Sequence, residues 1–233
     1  MASFNIYVIS YKRSNEILTN NLLEYCTYIV RKSEEQLYKD AGVKTLAVED
    51  NEINSVCKVM NWAIENTPED VIAIIDDDIK SFSYRLETNT LIQDKETITR
   101  EIERIAQLIY DLGIGYASPP IDSSPMYYDS EFKFTGVTGP VKIINKAKCK
   151  ARFNEIPFLL DMDFLLQELL VNRVVLIPRY IIQDVGLNTN KGGTNDNKSV
   201  KLYMNAGDTL KNKWGKYYKP GKDAEPGKIM VKR

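Results

Sequence analysis

Histidine is absent from this 233-residue chain. That removes Ser–His–Asp and Cys–His catalysis and every histidine-ligated metal site, so any chemistry must run on carboxylates, amines, hydroxyls or a hard metal ion. Cysteine is scarce: Cys26, Cys57 and Cys149 lie far apart with no CxxC spacing, which argues against a disulfide framework and a zinc site. They read as small buried hydrophobes in a reducing cytosol. No apolar run approaches the ~20 residues that span a bilayer, so no membrane partner is expected. The opening Met1-Ala2-Ser3-Phe4 has neither the basic start nor the apolar stretch of a secretion signal, and the expected location is the cytoplasm. Glycine is missing from Ser10-Tyr11-Lys12-Arg13-Ser14, where a phosphate-cradling loop would place it.

What is present points to a folded domain. The chain is 43% hydrophobic and 27% charged, enough to bury a sizeable core. Its overall charge of −1 conceals an asymmetry. Residues 187–233 hold eleven Lys/Arg against Asp196, Asp208, Asp223 and Glu225, a net +7 that leaves −8 on residues 1–186. A basic end on an acidic body suggests a polyanionic partner or an internal docking arm. Trp214, Tyr217 and Tyr218 interleave with those lysines, which suits stacking on nucleic acid or pinning the segment to the body.

The hydrophobic pattern predicts alternating strands and helices. Asn5–Ser10 is a β-rich run. Leu18, Leu22, Tyr25, Cys26 and Ile29 recur at helical spacing after Ser14. Val43–Val48 reads as a strand, and Ile53, Val56, Cys57, Met60 and Ile64 as a helix closed by Thr67-Pro68. Val71–Ile75 is continuously apolar, as in a parallel strand buried on both faces. The resulting βαβαβ order implies a doubly wound α/β sheet. A helix over about 96–112 ends at Gly113, Tyr116–Ser130 reads as a surface loop, and Phe132–Ile144 as a strand pair. Asp161–Asn172 is a short helix and Val174–Ile177 a strand. From about Asn188 the chain reads as a segment of low order.

Asp76-Asp77-Asp78 directly follows the most buried-looking strand. Ligand crevices of open α/β sheets lie beyond the carboxyl ends of the strands. Three adjacent carboxylates there repel one another, and a divalent cation relieves this; oxygen ligands favour Mg²⁺ or Mn²⁺. Alternation along an extended chain lets Asp76 and Asp78 converge while Asp77 faces elsewhere. A second pair, Asp161 and Asp163, opens the Leu-rich helix and offers a general base, with helix capping as the plain alternative. Lys191-Gly192-Gly193 is a flexible polar turn or an approach to a pyrophosphate.

This order of elements, ending in Asp-Asp-Asp, resembles the nucleotide-sugar half of a GT-A-type glycosyltransferase over about Asn5 to Gly193. The resemblance implies an α/β, GT-A-like (Rossmann-like) fold: a mixed, mainly parallel sheet flanked by helices. It implies one catalytic domain over 1–187, with a donor-binding half at about 1–113 and an acceptor half at 114–187, and a basic C-terminal extension over 188–233. The implied activity is a Mn²⁺- or Mg²⁺-dependent hexosyl transfer from a nucleotide-sugar, UDP-linked by expectation, to an acceptor hydroxyl with inversion. Asp76-Asp77-Asp78 stands as the DxD motif, with Asp76 and Asp78 on the metal and Asp76 and Asp77 also toward the donor. In place of the late histidine ligand of some relatives, either Asp184 stands in or phosphates and water complete the shell. Tyr11 and Arg13 match the donor-base loop, Glu49 and Asp50 the acid that reads base or ribose, and Lys58 lies on the helix leading to the metal strand. Lys191, Gly192 and Gly193 approach the pyrophosphate. The acidic motif reads Leu160-Asp161 where many relatives have Glu-Asp, so the base is Asp161 or Asp163. More loosely, small size and Lys/Asn-rich texture resemble phage glycosyltransferases acting on hydroxymethylated DNA bases, which makes DNA a candidate acceptor through the basic end. Two rivals stand beside this reading: a nucleotidyl- or phosphoryl-transfer enzyme on the same Asp cluster, and a non-enzymatic nucleic-acid-binding module.

Overall fold

The computed structural model describes residues 2–85, 87–121, 124, 126, 128–136, 138–156, 158–185, 200–222, 225 and 227–231. Its centre is a six-stranded sheet. β1 (Phe4–Ile9) pairs in parallel with β4 (Val71–Asp76) from Phe4↔Val71 to Ile9↔Asp76. On its other side it pairs in parallel with β2 (Thr27–Arg31), which carries β3 (Thr45–Val48). Beyond β4, β9 (Val141–Asn145) runs antiparallel, and β7 (Tyr116–Ala117) closes that edge against β9. The strand order is β3-β2-β1-β4-β9-β7. This is the mixed, mainly parallel sheet expected of a GT-A-like fold.

Because successive side chains alternate, β4 serves two cores at once. Val71, Ala73 and Ile75 join Ile6, Val8, Val141 and Ile143 beneath α3 (Lys95–Asp111), whose Ile98, Ile102, Ile105 and Ile109 face the sheet. Ile72 and Ile74 join Tyr7, Ile9 and Ile144 on the opposite face. There they meet Cys57, Met60, Ala63 and Ile64 of α2 (Val56–Asn66) and Phe164, Leu165 and Leu169 of α4 (Leu160–Val171). Side-chain N-caps fix both central helices: Ser55 accepts from the amide of Lys58, and Asp94 from that of Thr97. Gly113, at φ +66, ends α3 in the left-handed conformation that glycine adopts without strain.

The remaining elements build the rim. β5 (Ile79–Arg85) leaves the Asp triplet directly and pairs antiparallel with β6 (Asn89–Ile92) and β11 (Ile181–Val185). β8 (Phe132–Lys133) pairs with β10 (Ile177–Pro178). α5 (Val200–Trp214) lies near the C-terminal end, followed by β12 (Tyr218–Lys219) and β13 (Lys228–Ile229). Among the described residues no helix is long and apolar enough to cross a membrane.

Three sequence expectations are corrected. The helix read from Leu18 to Ile29 is instead a short 3-10 turn at Thr19–Asn21 followed by β2; the strand-favouring run Thr27–Val30 is buried throughout, so burial on both faces overrode the helical spacing. A short α1 (Glu35–Asp40) then precedes β3. Phe132–Ile144 does not form a strand pair: β8 and β9 belong to different sheets. The segment after about Asn188 is not uniformly low in order. Over the described residues it forms α5, whose Ala206 and Leu210, with Tyr218, pack on Leu159, Met162 and Leu166 at the start of α4.

A candidate active site at the carboxyl ends of the strands

A cleft of about 740 Å³ opens where β1, β2 and β4 end. Its walls include Ser10, Tyr11 and Arg13 after β1, Arg31 at the end of β2, Asp76, Asp77 and Asp78 after β4, and Asp161 at the start of α4. The topology alone places it here, since parallel strands bring their carboxyl ends to one side of the sheet.

The Asp turn is held by the segment after β1. Thr19 Oγ1 donates to the carbonyl of Asp76 at 2.7 Å, and the amide of Ile79 donates back to Thr19 Oγ1 at 3.2 Å. The amide of Thr19 also donates to the carbonyl of Asp77 at 3.2 Å. Arg13 donates to Asp77 Oδ1 at 2.9 Å and to Asp78 Oδ2 at 3.2 Å, while Ser10 Oγ donates to Asp77 Oδ2. Asp77 is therefore the buried anchor of the turn, 4% exposed. Burial raises its carboxyl above the ordinary range, against the lowering effects of Ser10 and Arg13.

Lys142 joins the two ends of the site. It sits on β9 opposite Ile74, with its side chain only 1% exposed, and its Nζ lies 3.4 Å from Asp161 Oδ1 and 3.9 Å from Asp76 Oδ1. Burial alone would lower an ammonium; Asp161 and Asp76 outweigh it and hold Lys142 above the usual lysine range. Asp76, partly exposed at the cleft wall, is pushed up to about 7, first by desolvation and then by Asp161, Asp78 and Asp77, with Lys142 pulling the other way. Lys142 escaped the sequence reading. The available signal was a lysine inside Val141–Ile144, sharing a strand face with Ile144.

The two candidate bases part company. Asp161 lines the cleft, whereas Asp163 is fully buried away from it. Asp163 accepts from Lys213 Nζ at 2.7 and 2.9 Å, Trp214 Nε1 at 2.7 Å, Asn154 Nδ2 at 2.6 Å and Gln167 Nε2 at 2.9 Å. Its place as an alternative base is corrected: it is a structural carboxylate clamping α5 to α4. Two residues along a helix rotate the side chain by about 200°, so only one of the pair can face the cleft.

Other expected residues also lie elsewhere. Glu49 pairs with Lys32, and Asp50 accepts from the amide and hydroxyl of Ser33, so both secure the turn after β2 and neither lines the cleft. Lys58 is exposed on α2, outside the cleft lining. Asp184 is exposed on β11, and its neighbour Val185 takes the cleft wall instead. Among the described residues no three Asp, Glu or Cys side chains converge, so the three-carboxylate metal set of Asp76, Asp78 and Asp184 is not assembled. Lys191, Gly192 and Gly193 fall outside the described residues. Tyr11 does line the cleft, with the Arg31 guanidinium 4.0 Å from its ring centre.

The donor set nonetheless suits a hard divalent ion. Mg²⁺ and Mn²⁺ sites commonly use one or two carboxylates and complete the shell with water and substrate phosphate. Asp76 and Asp78 are two such oxygen donors on one turn. Five carboxylates (Asp76, Asp77, Asp78, Glu155, Asp161) and three cations (Arg13, Arg31, Lys142) line the cleft, and the excess of two negative charges is what one divalent cation would balance.

No protein-family model matches the chain, and no curated protein matches it in sequence. Solved structures do share its architecture. Glucosyl-3-phosphoglycerate synthase from Mycobacterium tuberculosis, in complex with Mn²⁺, UDP and phosphoglyceric acid, superimposes with a TM-score of 0.52 at 9% identity, covering 95% of this chain and 84% of that one. The same synthase with phosphoglyceric acid gives 0.53 at 8% identity, covering 90% and 79%. A structure described as a mycobacterial protein gives 0.54 at 7% identity, covering 90% and 74%. At such identities the likeness speaks for the fold, and the fold of this chain is that of the GT-A glycosyltransferases.

Proposed function

We propose that the protein is a metal-dependent glycosyltransferase that moves a sugar from a nucleotide-sugar, UDP-linked in the first instance, to an acceptor hydroxyl. One observation carries the reading: a strand-end Asp76/Asp78 pair and a separate cleft carboxylate, Asp161, share one cleft at the carboxyl ends of a GT-A-like sheet, bridged by the buried Lys142. In this reading residues 1–113 carry the donor and 114–187 the acceptor, with 188–233 as an extension. Tyr11 and Arg31 offer a planar surface for the base. Asp76 and Asp78 would hold Mn²⁺ or Mg²⁺, which when bound neutralises the diphosphate leaving group.

Asp161 accepts the proton of the acceptor hydroxyl as its oxygen attacks the anomeric carbon. The bond from that carbon to the diphosphate breaks, and the nucleoside diphosphate leaves with the electron pair. Lys142 Nζ, 3.4 Å from Asp161 Oδ1, holds that side chain in the cleft. With Asp161 acting as base, a single displacement would invert the anomeric centre. A DNA acceptor is the less favoured version. Lys213 is engaged with Asp163, and Lys211 donates to the carbonyls of Gly215 and Tyr218, so part of the basic end serves the fold.

The test is thermal stability with Mn²⁺ and a panel of nucleotides and nucleotide-sugars, followed by release of the free nucleotide. A metal-dependent rise with a nucleoside diphosphate that disappears in Asp78→Asn is expected, together with an at least ~100-fold loss of turnover in Asp161→Asn. No shift with any nucleotide-sugar would sink the proposal. A shift with nucleic acid alone would favour a binding module, and nucleotidyl transfer to an acceptor without sugar transfer would favour a phosphoryl-transfer enzyme.

A further inference from the structure

The cleft wall beside Asp161 is aromatic, and two distant parts of the chain build it. Phe158 and Tyr203 both line the cleft, with near-parallel rings, 13° apart in plane and 5.9 Å between centres. Phe158 has φ +64. A bulky residue in the left-handed region is strained and persists where its surroundings hold it, and such outliers gather at ligand sites. Tyr203 comes from α5, which is fixed in place. Lys213 and Trp214 of α5 bond to Asp163 of α4, and Ala206 and Leu210 pack on Met162 and Leu166. The wall is thus tied to α4, and Ile156 and Leu160 extend its apolar surface beside the Asp161 carboxylate.

Charge narrows the ligand. The cations lining the cleft are Arg13, Arg31 and Lys142. Arg13 is engaged by Asp77 and Asp78, Arg31 lies on Tyr11, and Lys142 bridges Asp76 and Asp161. The segment that carries Phe158 instead adds Glu155 and Asp161 to the lining. A phosphate or carboxylate there would meet like charge. A neutral ring with one apolar face and a rim of hydroxyls would stack on the aromatics and donate a hydroxyl to Asp161.

We propose that Phe158, Tyr203 and Asp161 form the acceptor subsite and that its ligand is a neutral pyranose, a free sugar or glycoside, rather than an anionic small molecule. The inference rests on the glycosyltransferase reading above. The experiment measures nucleoside diphosphate release from whichever nucleotide-sugar binds with Mn²⁺. Release is compared in water alone and with methyl glucoside, methyl galactoside, maltose, 3-phosphoglycerate or a hydroxymethylated DNA duplex added. Saturation-transfer NMR of the same pyranosides reads binding directly. At least one neutral pyranoside is expected to stimulate release and to receive saturation from aromatic protons. Tyr203→Ala and Phe158→Gly should each weaken that stimulation by about tenfold. Glycine suits the left-handed backbone at 158, so this variant keeps the fold, and a retained melting rise with UDP and Mn²⁺ reports an intact donor site. Stimulation only by 3-phosphoglycerate or DNA, or pyranoside stimulation undiminished in both variants, would overturn the subsite while leaving the glycosyltransferase reading standing. Absence of any donor-dependent shift would bring down both.

Discussion

Replacing Lys142 by Met tests the electrostatic logic of the cleft with little change in volume. The ammonium is almost wholly buried, and it lies 3.4 Å from Asp161 and 3.9 Å from Asp76. At these distances each attraction is worth ~4 kcal/mol gross for an effective dielectric near 20. Against this stands the cost of burying the ammonium, several kcal/mol, which the substitution removes. The two carboxylates left behind are 37% and 43% exposed, so water recovers part of the loss. A net destabilisation of about 2 kcal/mol follows, or a fall in Tm of roughly 4–8 °C for a chain of this size. The sharper expectation concerns metal. Without Lys142 the five cleft carboxylates face only Arg13 and Arg31 in the lining, so Mn²⁺ should raise the Tm of Lys142→Met by more than it raises that of the native protein. Melting curves with and without Mn²⁺, read by circular dichroism, decide the matter. An unchanged Tm would show that the bridge contributes nothing, and an equal or smaller Mn²⁺ response would refute the view that ammonium and metal balance the same charges.

Three other outcomes are expected. Asp163→Asn should cost about 2–3 kcal/mol, because Lys213 loses a buried counter-charge; its tryptophan emission should shift to the red as α5 loosens around Trp214, and native stability with unaltered emission would remove the clamp. The three thiols are buried, and burial pushes Cys57 up to about 12, so a disulfide reagent at pH 8 should titrate no thiol in the native protein and three in guanidinium. The metal-free protein should lose stability as pH rises from 5 to 7.5: Asp76 titrates near 7 when folded and near 4 when unfolded, so across that window the folded chain holds the extra proton. No histidine titrates there to obscure the slope, Asp77 is raised in the same sense, and a flat or rising profile by urea denaturation would contradict the raised titration of Asp76 and Asp77.

Much of the central sheet was legible because Val71–Ile75 is apolar without interruption and ends in the Asp triplet, a pattern that fixes both a buried strand and the side on which its ligand crevice lies. α2 and α3 were legible from their 3.6-residue periodicity and from their ends at Thr67-Pro68 and Gly113. β2 was not. Cys26 and Ile29 satisfy a helical spacing with Leu18 and Leu22, and only burial of Thr27–Val30 on both faces, a tertiary fact, selects the strand. That misreading carried into the site, since Glu49 and Asp50 are bound to Lys32 and Ser33 in the turn that β2 creates. Sequence proximity to a strand end says nothing of which neighbour reaches a carboxylate first.

The absence of histidine also explains why the candidate site is built as it is. A cleft carboxylate is often held by an imidazole; here a lysine from β9 holds Asp161 and at the same time limits the repulsion at Asp76. Such a lysine must be buried to be held in place, and it stays charged in the interior only because two carboxylates accompany it. Each of the three comes from a different element: Asp76 from β4, Lys142 from β9, Asp161 from α4. The antiparallel reversal of β9 against β4 sets Lys142 opposite Ile74, two residues before Asp76. α4 starts at the same level because Phe164, Leu165 and Leu169 pack on that sheet face. Asp161 and Asp163 then divide the work: the first points into the cleft, and the second holds α5, which supplies the cleft with Tyr203. Fold and site are therefore coupled through α4, and loosening α5 should widen the wall beside Asp161 before it disturbs the Asp turn.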